Sequence, residues 1–172
     1  MRYLLPLLLL LGGCGGCAPS HSDLRATALR LEFERGLCSG TALGPQTIIT
    51  ATHCLQGDLR SVNGERASIT SARKEGRDTV ILTITGPTLK HFAKRGPRAV
   101  QGQTVRFFGN PGGAPDVFRR GYVVRAWTDG IVIDAVVCRG DSGAGLLSDD
   151  GRVVGVVSAM TSEAGCHFGL SL

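Results

Sequence analysis

Short apolar runs, each ended by a turn signal, recur from residue 29 to residue 159, and they restrict this chain to folds built from strands. Leu29, Leu31 and Phe33 alternate with Arg30 and Glu32, the pattern of a half-buried strand. Residues 38–43 and 47–50 flank Gly44-Pro45-Gln46, a hairpin-like break. Val62 and residues 67–71 flank Asn63-Gly64, a pair that suits the left-handed backbone of a tight hairpin. Residues 80–84 form a further strand. After residues 86–97, which carry Pro, Gly and basic side chains, strands resume at 104–108, 117–126, 131–137, 144–147 and 153–159. Asp149-Asp150-Gly151 makes the last turn. The expected fold is all-β, a sandwich or barrel, in two halves of similar size. The linker near residue 90 is expected to carry about one helical turn.

The N-terminus has a different character. Met1-Arg2 is a short positive start, and residues 4–11 are apolar but too few to cross a bilayer as a helix. Leu11-Gly12-Gly13-Cys14 resembles the lipoprotein signal, in which the chain is cut before the cysteine and its sulfur is acylated. Ordinary signal cleavage nearby, after Ala18 for instance, is the other reading. On the first reading residues 1–13 are a signal peptide, 14–27 a polar tether, and Cys14 the lipid attachment site. On either reading the chain is exported and its remaining cysteines meet oxidising conditions.

Six cysteines allow 15 pairings. Cys14 and Cys17 lie in the signal region, and the others divide into an early pair, Cys38–Cys54, and a late pair, Cys138–Cys166. No close Cys pair followed by a matching Cys/His pair is present after the signal, so neither a zinc site nor any other metal or cofactor is expected. The net charge of +5 reads as a solvated surface, and nucleic acid is not an expected partner.

Acyl-transfer chemistry by serine needs a base to take the hydroxyl proton and an acid to orient that base. Ser142 lies in Cys138-Arg139-Gly140-Asp141-Ser142-Gly143-Ala144-Gly145, where flanking glycines permit a sharp turn and leave amides free to meet a developing oxyanion. His53 follows an apolar strand and precedes Cys54, and Asp78 directly precedes the 80–84 strand. In isolation each has a plain alternative: a turn serine, a structural histidine, a solvated cap. The order His53, Asp78, Ser142 is not that of the α/β-hydrolases, which run Ser, acid, His.

Thr50-Ala51-Thr52-His53-Cys54, Asp78-Thr79-Val80-Ile81-Leu82 and Gly140-Asp141-Ser142-Gly143-Ala144 are similar to the three active-site motifs of the chymotrypsin/trypsin family. The two cysteine pairs match as well, one bracketing the histidine and one the serine. The resemblance covers about residues 29–172 and includes Gly109-Asn110-Pro111-Gly112-Gly113. It implies two packed six-stranded antiparallel barrels, one at about 28–85 and one at 100–172, joined by a linker at 86–99, with the active site in the cleft between them. It further implies that Ser142 is the nucleophile, His53 the general base and Asp78 its orienting partner, with the amides of Gly140 and Ser142 as oxyanion hole. A polypeptide substrate follows from the same resemblance, and a monomer is expected.

Two departures from the family pattern carry consequences. The usual activation site, a basic residue followed by Ile-Val-Gly-Gly, is absent, so no freed N-terminus is expected to pair with Asp141. The specificity pocket, placed by the resemblance on Val136 at its base and Ser158, Ala159 and Met160 on its wall, carries no acid and implies small or medium aliphatic residues before the scissile bond. The rival reading is a catalytically inactive, protease-fold lipoprotein that binds peptides.

Overall fold

The computed structural model describes residues 18–163 and 166–171, with side chains described outside 160–168. Fourteen strands and one short helix, α1 (His21–Arg25), make up its regular structure, with short 3-10 turns at Thr52–Cys54 and Pro111–Gly113. The first half contains β1 (Ala28–Phe33), β2 (Gly36–Gly44), β3 (Thr47–Ala51), β4 (Leu59–Val62), β5 (Glu65–Arg66), β6 (Ser68–Glu75) and β7 (Thr79–Thr85). The second contains β8 (Thr104–Gly109), β9 (Val117–Trp127), β10 (Gly130–Asp134), β11 (Gly145–Leu147), β12 (Val153–Val156), β13 (Ala159–Glu163) and β14 (Cys166–Ser171).

Each half is one antiparallel sheet, ordered β5-β4-β1-β2-β3-β7-β6 and β12-β11-β8-β9-β10-β14-β13. The two orders are the same arrangement repeated, as expected for two similar barrels. Seven strands stand in each sheet where six were expected, because one extended run in each is broken by a corner. β5 pairs with β4 at one sheet edge, and β6, which resumes beyond Ala67, pairs with β7 at the other. β12 pairs with β11, and β13, resuming beyond Val157 and Ser158, pairs with β14. One continuous chain thereby engages both edges of its sheet, which closes each sheet into a barrel and removes exposed strand edges.

Alternation along the strands supplies the core. In β1, Leu29, Leu31 and Phe33 are buried, while β7 buries Val80, Leu82 and Ile84. Burying side chains of this size contributes about 1.5–3 kcal/mol each. Barrel two packs around Val105, Phe107, Val123, Ile131, Ile133 and Leu146. Phe108, Leu147, Val153 and Val156 from barrel two pack into the barrel-one cluster, so the two halves share apolar contact.

The linker and the N-terminal segment both differ from expectation. Residues 86–99 carry no helix: their amides are drawn out to the barrels instead. Leu89 and Ala93 donate to the Pro45 and Ala42 carbonyls of barrel one, and Gly96 donates to Val153 of barrel two. Residues 18–27, read as a tether, contain α1, whose capping box joins the Ser20 and Asp23 side chains to each other's backbone amides. Leu24 of this helix is only 3% exposed and belongs to the barrel-one core. The expected signal peptide and Cys14 lie outside the described residues.

Candidate active site

Strand register brings His53 to Asp78. β3 and β7 run antiparallel with Thr50 opposite Val80 and Ala51 opposite Thr79, so the end of β3 meets the start of β7. The ladder continues through a bond from the Thr52 amide to the Asp78 carbonyl at 3.1 Å. The chain then tightens into the Thr52–Cys54 turn, stapled by the Cys38–Cys54 disulfide that the early cysteine pair predicted. His53 Nδ1 lies 2.7 Å from Asp78 Oδ2, and the His53 amide donates to Oδ1 at 2.9 Å. A carboxylate is acceptor only, so this contact places the imidazole proton on Nδ1 and leaves Nε2 free to accept one.

Ser158 supplies the third bond to this carboxylate, its hydroxyl donating to Asp78 Oδ2. Ser158, which the resemblance assigned to a specificity-pocket wall, lies at the corner between β12 and β13, and its hydroxyl is committed to Asp78. Buried polar side chains are generally hydrogen-bonded, and Ser158 is 5% exposed. No local signal in the sequence marks this role, since only the packing of one barrel on the other brings residues 78 and 158 together.

Ser142 sits in the loop between β10 and β11, which is folded by consecutive turns: Asp141 N–H donates to the Cys138 carbonyl and Ala144 N–H to the Asp141 carbonyl. This loop is docked on barrel one. The Ser39 amide donates to the Ser142 carbonyl at 2.7 Å, Gly145 N–H donates to Thr41 Oγ1 at 2.9 Å, and the Cys54 sulfur lies 3.7 Å from the Ser142 carbonyl oxygen. Gly140 has φ +101°, and a Cβ there would collide with the Asn110 carbonyl. Only glycine suits that backbone and that approach. The Gly140 carbonyl is held by the Ser39 hydroxyl at 2.7 Å.

Asp141 is fully buried. Its Oδ2 accepts from the Cys138 amide at 2.8 Å, while Oδ1 packs against Gly109 and has no partner among the described residues. Burial pushes its carboxyl above the ordinary 3.8, opposed by the Cys138 amide and by the positive charge of Arg119.

The remaining expected site residues are dispersed. Val136 is 59% exposed between buried Ala135 and Val137, because extended backbone sends alternate side chains to opposite faces. Its side chain thus faces outward, on the opposite side of the segment from Ala135 and Val137. Ala159 begins β13 and is half-buried, and the Met160 side chain lies outside the described residues. Cys138 has no disulfide partner among the described residues; the side chain of Cys166, its expected partner, lies outside them. Among the described residues no group of three or more His, Cys, Asp or Glu is placed to hold a metal ion.

Residues 38–156, more than half of the chain, match the trypsin-like peptidase domain family. The chain belongs to that family. Solved structures share the fold at low identity. The inactive form of the Rv3671c protease of M. tuberculosis, a Ser-to-Ala mutant, is 20% identical with a TM-score of 0.71, over 87% of this chain and 83% of that one. A Glu endopeptidase is 17% identical with a TM-score of 0.70, over 90% and 89% of the two chains. A serine endoprotease from Yersinia pestis is 18% identical with a TM-score of 0.70, over 91% of this chain and 64% of that one. This trypsin-like domain is therefore a chymotrypsin-like double barrel with protease neighbours.

A buried carboxyl raised above its ordinary value binds its proton more tightly in the folded chain than in the unfolded one. Its contribution to stability is complete below about pH 3.8 and is lost as pH rises through the folded value. Asp141→Asn is therefore expected to be more stable than the parent protein at about pH 7 and nearly equal to it at about pH 3.5. Urea unfolding at both pH values measures this; an equal difference at the two would refute it.

Proposed function

We propose that this protein is an exported serine endopeptidase that cleaves peptide bonds through an acyl-enzyme. Ser142 attacks the scissile carbonyl, His53 Nε2 takes the hydroxyl proton and returns it to the leaving amine, and Asp78 holds the imidazole and stabilises its charged form. The amides of Gly140 and Ser142 receive the oxyanion; one such donor contributes about 3–4 kcal/mol to the transition state. The observation that carries this reading is the two-point hold of Asp78 on His53, through both the ring and the backbone. That arrangement leaves Nε2 as the acceptor on a histidine with a side chain 42% exposed.

A fluorophosphonate probe is expected to label the folded protein at Ser142, and Ser142→Ala to abolish both labelling and peptide cleavage, a loss of about 10⁴-fold or more. A folded parent protein that takes no label would instead favour a binding module. For specificity, small or medium aliphatic residues before the scissile bond remain our reading, because residues 135–138 and 158–159 carry no charged side chain. A peptide-library profile dominated by Lys, Arg or Glu at that position would overturn it.

We also propose attachment to a bacterial outer membrane through lipidated Cys14, facing the periplasm or the cell surface. Its support is the Leu11-Gly12-Gly13-Cys14 sequence after an apolar run. Cys14→Ser is expected to move the protein from the membrane fraction to the soluble one; unchanged partitioning would remove the claim.

A further inference from the structure

The segment entering barrel one is built onto the flanks of loop 110–116, which borders the serine loop. His21 meets Phe108 and Phe118 edge-on, with ring centroids 5.0 and 4.7 Å apart. Arg25 donates from both Nε and Nη2 to Asp116 Oδ2, at 3.1 and 3.0 Å. Pro19 and Leu24 lie against the Gly151 turn. Phe108 is near the end of β8, Phe118 near the start of β9, and Asp116 is the last residue of the loop joining them. The helix thus grips both roots of loop 110–116.

That loop bears directly on the segment read as the oxyanion hole. The Asn110 carbonyl closes against Gly140, and Gly112 N–H donates to the Arg139 carbonyl at 2.8 Å. The Asn110 side-chain amide returns to barrel one, donating to Ser39 Oγ at 2.8 Å and to the Leu29 carbonyl at 3.2 Å. Asp116 itself has φ +54°, a backbone state that non-glycine residues adopt at some cost and that Arg25 helps to hold. Asp141 meanwhile has no cation bonded to its carboxylate among the described residues.

We propose that α1 is a brace: by gripping Asp116 through Arg25 and the loop roots through His21, it holds loop 110–116 against Gly140 and positions the oxyanion donors without an ion pair at Asp141. Arg25 is then a positioning residue. The inference rests on the reading of Gly140 and Ser142 as those donors. An exposed ion pair contributes little to global stability. Its loss is therefore expected to appear in loop geometry and turnover, not in the melting temperature.

The test uses the full chain and four variants, with hydrolysis of a p-nitrophenyl ester and amide hydrogen exchange as parallel readouts. Asp116→Asn removes the charge while keeping a residue that tolerates positive φ. Arg25→Ala and Asp116→Asn are each expected to lower kcat about fivefold with KM within about twofold. Arg25→Lys should retain most of the activity, and Arg25→Ala/Asp116→Asn should fall no further than either single change. Exchange at the amides of Gly112 and Asp141, which bond to Arg139 and Cys138, should accelerate in Arg25→Ala while the melting temperature moves by no more than about 2 °C. Unchanged exchange at those amides, additive losses in the double variant, or a kcat that falls only in step with the melting temperature would each overturn the brace. A parent protein inert to the ester would count against the protease reading, while the exchange measurement would still decide the brace.

Discussion

The carboxylate of Asp78 accepts hydrogen bonds from both barrels. The His53 ring and backbone amide reach it from barrel one, and the Ser158 hydroxyl reaches it from barrel two. Neither barrel alone supplies all three donors, so the orientation of the imidazole depends on how the halves pack. The shared apolar contacts of Phe108, Leu147, Val153 and Val156 set that packing. The bonds from Ser39 and Thr41 across to Ser142 and Gly145 fix the serine loop on the same interface. A carboxylate held at both oxygens by aligned donors is well suited to keep a histidine in one tautomer through a reaction cycle.

Closing each barrel and building the site draw on the same structural device. The strand that must serve both edges of its sheet has to turn a corner, and in barrel two that corner falls at Val157 and Ser158. The Ser158 hydroxyl is exposed to Asp78 because the ladder is interrupted there, while Gly143 N–H takes the Val157 carbonyl that the broken ladder leaves available. A requirement of β-sheet closure thereby supplies a polar contact to the candidate catalytic pair.

Asp141 shows the opposite balance. It is buried, one of its oxygens has no partner among the described residues, and burial raises its proton affinity. Its carboxylate ties the loop only to the Cys138 amide, so residues 138–142 draw further order from neighbours. Those neighbours are Ser39, which binds the carbonyls or amides of Gly140, Ser142 and Asn110, and loop 110–116 with the helix behind it.

Much of this was legible in the residues themselves. Alternation in residues 29–33 and 80–84, the Asn63-Gly64 turn and the flanking glycines of Ser142 act over a few residues, so strands and turns follow from local patterning. His53 and Asp78 could be placed at strand ends, and the early cysteine pair could be joined, because strand direction and loop length constrain both. What the residues did not show depended on partners far off in sequence or on how the backbone is pleated. Ser158 turned to Asp78 eighty positions away, as its bond records, and the polar look of residues 18–27 concealed Leu24 docked in the core. Val136 faced solvent because pleating, not its apolar character, decides which way an extended residue points. The sequence by itself determined that this chain is built of strands in two similar halves, and which residue types could run acyl-transfer chemistry. Only the tertiary structure decided which donors reach Asp78 and what supports Gly140, because those contacts exist only when one barrel is packed against the other.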